Sequence, residues 1–464
     1  MDKLIKNGLV ANDVQCIQAD VLIEGEVIKA VEPRIAPPEG VEVIDASGKL
    51  LLPGAVDVHT HMDLDVGAHR SCDSFYSGTV AAAFGGTTTI VDHMAFGPKG
   101  CLPRHQVNEY HRLADGEACV DYGFHGVLQE RIDERVLSDM RDISQTEGIT
   151  SFKLYLTYDD MLCDRDIFAV LEEAKKDDIL IAVHCENDGI INSLREKYGK
   201  ENRLSAAWHP KSRPAMAEAE AVNRMLYMAA CAGEAPLYIV HLSSEAGLSE
   251  VIRAKERGQK HFGVETCPQY LLLDESLYDD PEEGLKFIMS PPLRKAADRE
   301  ALWRALSEGL IDVVATDHCP FTFKVQKQSG AGDFRKCPNG APGVQERLPL
   351  LFSEGYKKGR LSLPRLVSCL CAEPARIFGL YPQKGVIQPG SDADIVILDP
   401  DGQTVLGKDN IRGNSDYTCY QGLETAGRIE AVFLRGRVIV KDGAFLGKKG
   451  DGKYLRRGIS SLCG

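Results

Sequence analysis

The sequence predicts an α/β protein, a distorted (β/α)8 barrel of the TIM type with a small β-sandwich domain built from both chain ends. Three observations predict it. Short apolar segments alternate with longer helical stretches between residues 54 and 378, the pattern of a parallel sheet wrapped by helices. Both termini instead read as strands and turns. The length, 464 residues, exceeds what one hydrophobic core usually fills.

Residues 1–53 carry short strand-like runs at 3–6, 19–23 and 41–45, broken by Asn7-Gly8 and by Pro37-Pro38-Glu39-Gly40. Residues 379–464 carry similar runs at 394–398, 429–434 and 438–440. Neither end has enough strands to bury a core alone, so the two are expected to form one composite domain. Between them, strands are expected at 55–61, 87–92, 120–126, 151–156, 180–185, 237–241, 261–266 and 312–317. Helical periodicity marks 167–176, 217–230 and 297–307. No repeat of fixed period is present.

The net charge of −14 argues against nucleic acid as a partner. No apolar run approaches the ~18 residues of a membrane span, and the first residues have no secretory signal. A cytoplasmic protein is expected. The 14 cysteines are scattered with no Cys-x-x-Cys pair; the closest, Cys369 and Cys371, are placed in a helix. They are expected to be buried thiols rather than disulfides or zinc ligands.

In such a barrel the chemistry sits at the C-terminal ends of the strands, and polar residues recur there. The first strand ends in His59-Thr60-His61, the fourth carries Lys153, the fifth ends in His184, the sixth in His241 and the eighth in Asp317. His59 and His61 are two apart, so on a strand they share a face and can reach one metal. Lys153 lies within Ser151-Phe152-Lys153-Leu154-Tyr155-Leu156, where a buried ammonium is costly. It must pair with an acid or lose its charge, for instance by carbamylation to an anionic oxygen ligand. Taken singly, each histidine reads as an ordinary core residue. Taken jointly, a two-metal centre accounts for all of them, with zinc suited to imidazole and carboxylate ligands.

Eight separated motifs then carry a resemblance. They are Pro53-Gly54-Ala55-Val56-Asp57-Val58-His59-Thr60-His61, Gly85-Gly86-Thr87-Thr88-Thr89, Phe152-Lys153, Val183-His184-Cys185-Glu186-Asn187, Val240-His241-Leu242-Ser243, the run from Glu265 to Leu271, Ser290-Pro291-Pro292-Leu293-Arg294 and Ala315-Thr316-Asp317-His318-Cys319. Asn339-Gly340-Ala341-Pro342-Gly343 follows. In this order they resemble the hydantoinase/dihydropyrimidinase family of the amidohydrolase superfamily over essentially the whole chain. Asp65-Val66-Gly67 with Arg70-Ser71-Cys72-Asp73 is closest to the bacterial D-phenylhydantoinase branch.

The resemblance implies one metal ion held by His59, His61 and Asp317 and a second by His184 and His241, with a carboxylated Lys153 bridging them. Tyr158 matches the donor to the developing oxyanion, and Ser290 and Asn339 match positions that hold the cyclic amide. The implied reaction is attack of a bridging hydroxide on a ring carbonyl, with Asp317 passing the proton to the departing nitrogen. The neighbouring Tyr155 competes with Tyr158 for its role. Asp57 and Glu186 are expected to orient ligands, and His93, His125 and His318, which have no catalytic role here, to support the ligands from behind or to pack.

Leu64 and Phe152 are expected to form an apolar pocket for a ring substituent. This favours hydantoins with a bulky, aryl 5-substituent, opened to N-carbamoyl amino acids; the resemblance implies D selectivity. Dihydropyrimidinase or allantoinase activity on another cyclic ureide is the alternative, and a non-catalytic scaffold relative is a different one. Dihydroorotase is disfavoured because Asp63, not arginine, follows His61 by two. The resemblance implies a homotetramer, with a dimer open.

Overall fold

The computed structural model describes residues 2–464. Five strands open the chain, Lys3–Ala11 (β1), Cys16–Glu24 (β2), Val27–Glu32 (β3), Glu42–Asp45 (β4) and Leu50–Pro53 (β5). Eight follow: Ala55–Thr60 (β6), Thr87–His93 (β7), Asp121–Val127 (β8), Ser151–Tyr155 (β9), Leu180–His184 (β10), Leu237–Ile239 (β11), Phe262–Thr266 (β12) and Val313–Val314 (β13). Four close it, Ile395–Val405 (β14), Glu424–Leu434 (β15), Arg437–Lys441 (β16) and Ala444–Phe445 (β17).

The terminal strands form one mixed nine-stranded sheet in the order β17-β16-β15-β14-β5-β1-β2-β3, with β4 beside β1. The two chain ends meet where β14 runs antiparallel to β5, Ile395 facing Pro53 and Leu398 facing Leu50. Ile5, Val10, Val21, Leu51, Ile395 and Phe433 bury a common core. A charged cluster ties this sheet to the barrel. The Lys384 ammonium donates to Asp121 at 2.6 Å and to Asp394 at 2.8 Å, and Arg435 pairs with Asp121.

The middle eight strands form a parallel sheet in sequence order, β6 to β13. Strands such as Leu180–His184 are buried throughout, as parallel strands covered on both faces must be. Helices occupy Asp164–Lys176, Ala215–Cys231 and Ala296–Glu308, each slightly longer than its apolar periodicity marks. The extra residues at the first helix include Asp164 and Asp166, which are polar but favourable beside the N-terminal dipole. Cys369 and Cys371 lie in the wide turn Ser368–Ala372, and the cysteines among the described residues are unpaired. No helix is long and apolar enough to cross a membrane.

The barrel closes at the seam between β6 and β13 with side chains rather than a full ladder. Backbone contact there is limited to the mouth, where the His61 N–H donates to the His318 carbonyl at 2.9 Å. Below it, the buried Asp57 carboxylate on β6 accepts the Thr316 hydroxyl at 2.7 Å and the Thr316 N–H at 3.3 Å. The fully buried Arg347 guanidinium donates to the Val56 carbonyl of β6 at 2.9 Å and to the Val314 carbonyl of β13 at 3.0 Å. One planar cation thus supplies the donors that a neighbouring strand would have. Replacing Arg347 by Met leaves two buried carbonyls and Asp57 without this partner. The expected cost is roughly 3 kcal/mol, measured as a fall in the chemical-denaturation midpoint. An unchanged midpoint would show that the seam closes without Arg347.

Candidate metal centre and active-site cleft

Every polar residue expected at a strand end lies at one mouth of the barrel, yet several lie just past their strands. β6 stops at Thr60, β11 at Ile239 and β13 at Val314, so His61, His241 and Asp317 sit on the loops that follow. His241 and Asp317 adopt left-handed backbone angles, φ +40° and +54°, and Tyr158 has φ +79°. Such conformations cost non-glycine residues energy and concentrate at functional sites. Here they turn the side chains inward.

His59 Nε2 and His61 Nε2 each lie 3.1 Å from the same Asp317 oxygen. On the opposite side His184 Nδ1 lies 2.9 Å from His241 Nε2. Ligand atoms of His59, His241 and Asp317 fall within 4.8 Å of one another. Two of these imidazoles are oriented by buried carboxylates. His59 Nδ1 donates to Glu265 at 2.6 Å, and His184 Nε2 donates to Glu186 at 2.9 Å. A carboxylate accepts but does not donate, so each keeps a proton on the nitrogen facing it and turns the other nitrogen toward the mouth. That is how proteins hold metal-ligating histidines. The Nδ1 atoms of His61 and His241 have no partner, so one nitrogen of each ring is uncommitted within the protein.

Lys153 is buried among these groups and forms no ion pair within 4.0 Å among the described residues. Burial lowers its pKa to about 8 despite the opposing Glu265 and Asp317 carboxylates. Burial also lowers His61, His184 and His241, His241 most strongly. His59 goes the other way: burial opposes its charge, but the Glu265 carboxylate outweighs this and raises it to about 9. For Asp317, burial is outweighed by the adjacent His59 and His61, which hold its carboxyl well below the usual range. Nitrogen and carboxylate donors converging without thiolates suit zinc.

The mouth opens into a cleft of about 930 Å³. Tyr158, Ser290, Asn339 and Leu64 line it. Phe152 does not, which corrects its assignment to the substrate pocket. Successive residues of β9 face opposite sides, and since Lys153 points into the barrel, Phe152 points out, its ring packed over Gly126. Val66, Met94, Ala95, Phe96 and Tyr155 supply the apolar lining in its place. The Tyr155 ring contacts Phe96 at 5.0 Å, whereas Tyr158 stands beside Arg213 and Ser290. Glu186 orients His184 as anticipated, and Asp57 accepts the His59 N–H at 3.2 Å.

Glu265 and Arg213 were assigned no part from the sequence. Glu265 carried the same signal as Lys153, a charge inside an apolar strand. Arg213, paired with Glu186, lies in a connecting segment with no such signal.

Because His59 is protonated at neutral pH in the metal-free chain, a metal ion must displace that proton. Zinc affinity of the apoprotein, set with a chelator buffer, should therefore rise with pH from about 6.5 to about 9. A flat profile would remove His59 from the ligand set.

The chain matches the amidohydrolase family model over residues 50–439. It is 48% identical to the D-phenylhydantoinase of Escherichia coli O1:K1 / APEC over 457 residues, 98% of each chain. The dihydropyrimidinase of Brevibacillus agri NCHU1002 superposes with a TM-score of 0.97 at 39% identity, covering 99% of this chain and 100% of that one. The D-hydantoinase of Bacillus sp. AR9 superposes with a TM-score of 0.96 at 40% identity, covering 98% and 99%. With strand-end histidines, lysine and aspartate gathered at one barrel mouth, the chain belongs to the amidohydrolase family and is a hydrolase of cyclic amides of the hydantoinase/dihydropyrimidinase type.

Proposed function

We propose that the enzyme opens 5-substituted hydantoins, preferring aryl substituents in the D configuration, to N-carbamoyl amino acids with two zinc ions. The observation that carries the metal reading is the pair of carboxylate-oriented histidines, His59–Glu265 and His184–Glu186, lining one cleft with the buried Lys153. His59, His61 and Asp317 would hold one ion and His184 and His241 the other. Lys153 would bridge them after its amine adds carbon dioxide. At a pKa of about 8, roughly one-tenth of this amine is uncharged at pH 7, against well under one-thousandth for an ordinary lysine. Two zinc ions supply Lewis-acid polarisation of the ring carbonyl and a water acidic enough to attack at neutral pH.

The protein's own groups do the rest. Asp317, with its anionic form favoured, takes the proton of the attacking water and passes it to the departing ring nitrogen. The Tyr158 hydroxyl remains protonated, because burial raises its pKa more than Arg213 and Ser290 lower it. It donates a hydrogen bond to the developing oxyanion. Ser290 and Asn339 hold the cyclic amide through their backbone groups. The wall of Leu64, Val66, Met94, Ala95 and Phe96 receives the 5-substituent.

Steady-state turnover on D- and L-5-phenylhydantoin, dihydrouracil, allantoin and dihydroorotate tests the reading, with D-5-phenylhydantoin expected to give the highest kcat/KM. A higher value for dihydrouracil would make the six-membered ring the better substrate and transfer the specificity to a dihydropyrimidinase. Tyr158→Phe should lower kcat by about 10²–10³ with zinc content unchanged. A wild-type kcat would take Tyr158 out of the mechanism.

A further inference from the structure

The strand that carries His59 is weakly held by its neighbours. The β6–β7 ladder shifts register between Ala55 and Val56, lapses after Asp57 and resumes only at Thr60, and the other edge of β6 is the side-chain seam. The Val58 carbonyl, one residue before His59, instead accepts from His125 Nε2 at 2.9 Å.

This contact has a defined polarity. A carbonyl only accepts, so His125 Nε2 carries the proton and His125 Nδ1 is an acceptor. The Ser151 hydroxyl lies 2.7 Å from Nδ1 and donates to it. Ser151 Oγ in turn accepts from Arg457 Nη2 at 2.9 Å. Every donor in the chain Arg457–Ser151–His125–Val58 is thereby assigned. Burial, reinforced by the Arg457 cation, keeps His125 neutral. The His125 ring also stacks at 4.0 Å on His93, which meets the rings of His59 at 4.4 Å and His61 at 5.4 Å.

Arg457 reaches this position from the opposite end of the barrel. The segment around it lies across the N-terminal ends of β8 and β9. The Leu455 N–H donates to the Tyr122 carbonyl at 2.7 Å, and the Arg457 N–H donates to the Gly148 carbonyl at 3.0 Å. Thr150 Oγ1 donates to the Gly458 carbonyl at 2.8 Å. The guanidinium is buried, the same Nη2 donates also to the Phe124 carbonyl at 2.5 Å, and it forms no ion pair among the described residues. A buried arginine without a carboxylate is expensive. Stability alone would favour an apolar side chain filling the barrel floor.

We infer that Arg457 is a positioning residue for the metal centre: entering from the barrel floor, it fixes through Ser151 the tautomer and place of His125, and through His125 the strand that presents His59 and His61. The inference rests on the proposed zinc reading. Side chains that orient ligands in this way typically change metal affinity or activity about 10–100-fold when removed.

The test is the rate at which zinc leaves the holoenzyme into a chelator, followed for wild type, Arg457→Met, Ser151→Ala and the double variant, with kcat measured alongside. Each single variant should release zinc about tenfold faster or more, and the double variant no faster than the faster single, because one break interrupts the chain. Unchanged release in Ser151→Ala, or multiplied effects in the double variant, would overturn the inference even with a lowered melting temperature. Should Arg457→Met fail to fold, Ser151→Ala decides the matter, since it removes one oxygen and leaves the arginine in place. Wild-type protein that retains no zinc would instead overturn the proposed metal reading, a result recognisably different from either outcome among the variants.

Discussion

The geometry of the site depends on how β6 is held. That strand presents His59 and leads into His61, yet it has a ladder on one side only, and that ladder shifts register after Ala55 and lapses again between Asp57 and Thr60. Side chains do the holding. Asp57 joins it to Thr316, Arg347 bridges Val56 and Val314, and His125 engages Val58. Asp92 accepts the Thr60 hydroxyl at 2.6 Å and the Met62 N–H at 2.9 Å. A backbone ladder would impose strand geometry through His61. Side-chain contacts let the chain leave that geometry where the ligands must converge, and still keep each ligand in one place.

Charge at the mouth is unbalanced in a way that calls for a cation. Glu186 is matched by Arg213, with which it pairs. Glu265 is not so matched: its partners are His59, the Tyr238 hydroxyl and the His241 N–H. Asp317 likewise has only imidazoles beside it. A buried carboxylate and a largely covered one, facing neutral or partly protonated rings, are costly in isolation. The pKa of His59, raised by the Glu265 carboxylate, answers that charge in the metal-free protein, and on the proposed reading a metal ion would take the proton's place. Lys153, still cationic in part, opposes that arrangement, and conversion to a carbamate would turn an opposing charge into a supporting one.

Much of this was legible in the sequence because periodicity and strand-end placement are local signals. All eight barrel strands fall where apolar runs lie, and His59, Lys153, His184, His241 and Asp317 converge as their positions at strand ends imply. Three kinds of feature were not legible. Phe152 was placed in the pocket from its proximity to Lys153, although the two-residue period puts it on the other face. Arg213 and Arg457 lie in irregular segments, where no periodicity says which way a side chain points. Arg347 begins a four-residue helix, and only the three-dimensional seam shows that it stands in for a strand. Long-range contacts of this kind, 306 residues apart for Arg457 and Ser151, leave no trace in local composition.

The two walls of the cleft bear on orientation. Tyr158, Ser290 and Arg213 give the cleft a polar lining, and Leu64, Val66, Met94, Ala95 and Phe96 an apolar one. On the proposed reading, the reacting carbonyl must approach Tyr158 and Asp317, which turns the ring's fifth position toward the apolar wall. An aryl or alkyl group there is removed from water at about 25 cal/mol per Å². A ureido group in the same place would leave donors and acceptors unpaired at roughly 1–3 kcal/mol each. Since the metal ligands are indifferent to the substituent, discrimination between hydantoins and more polar cyclic ureides falls to this wall.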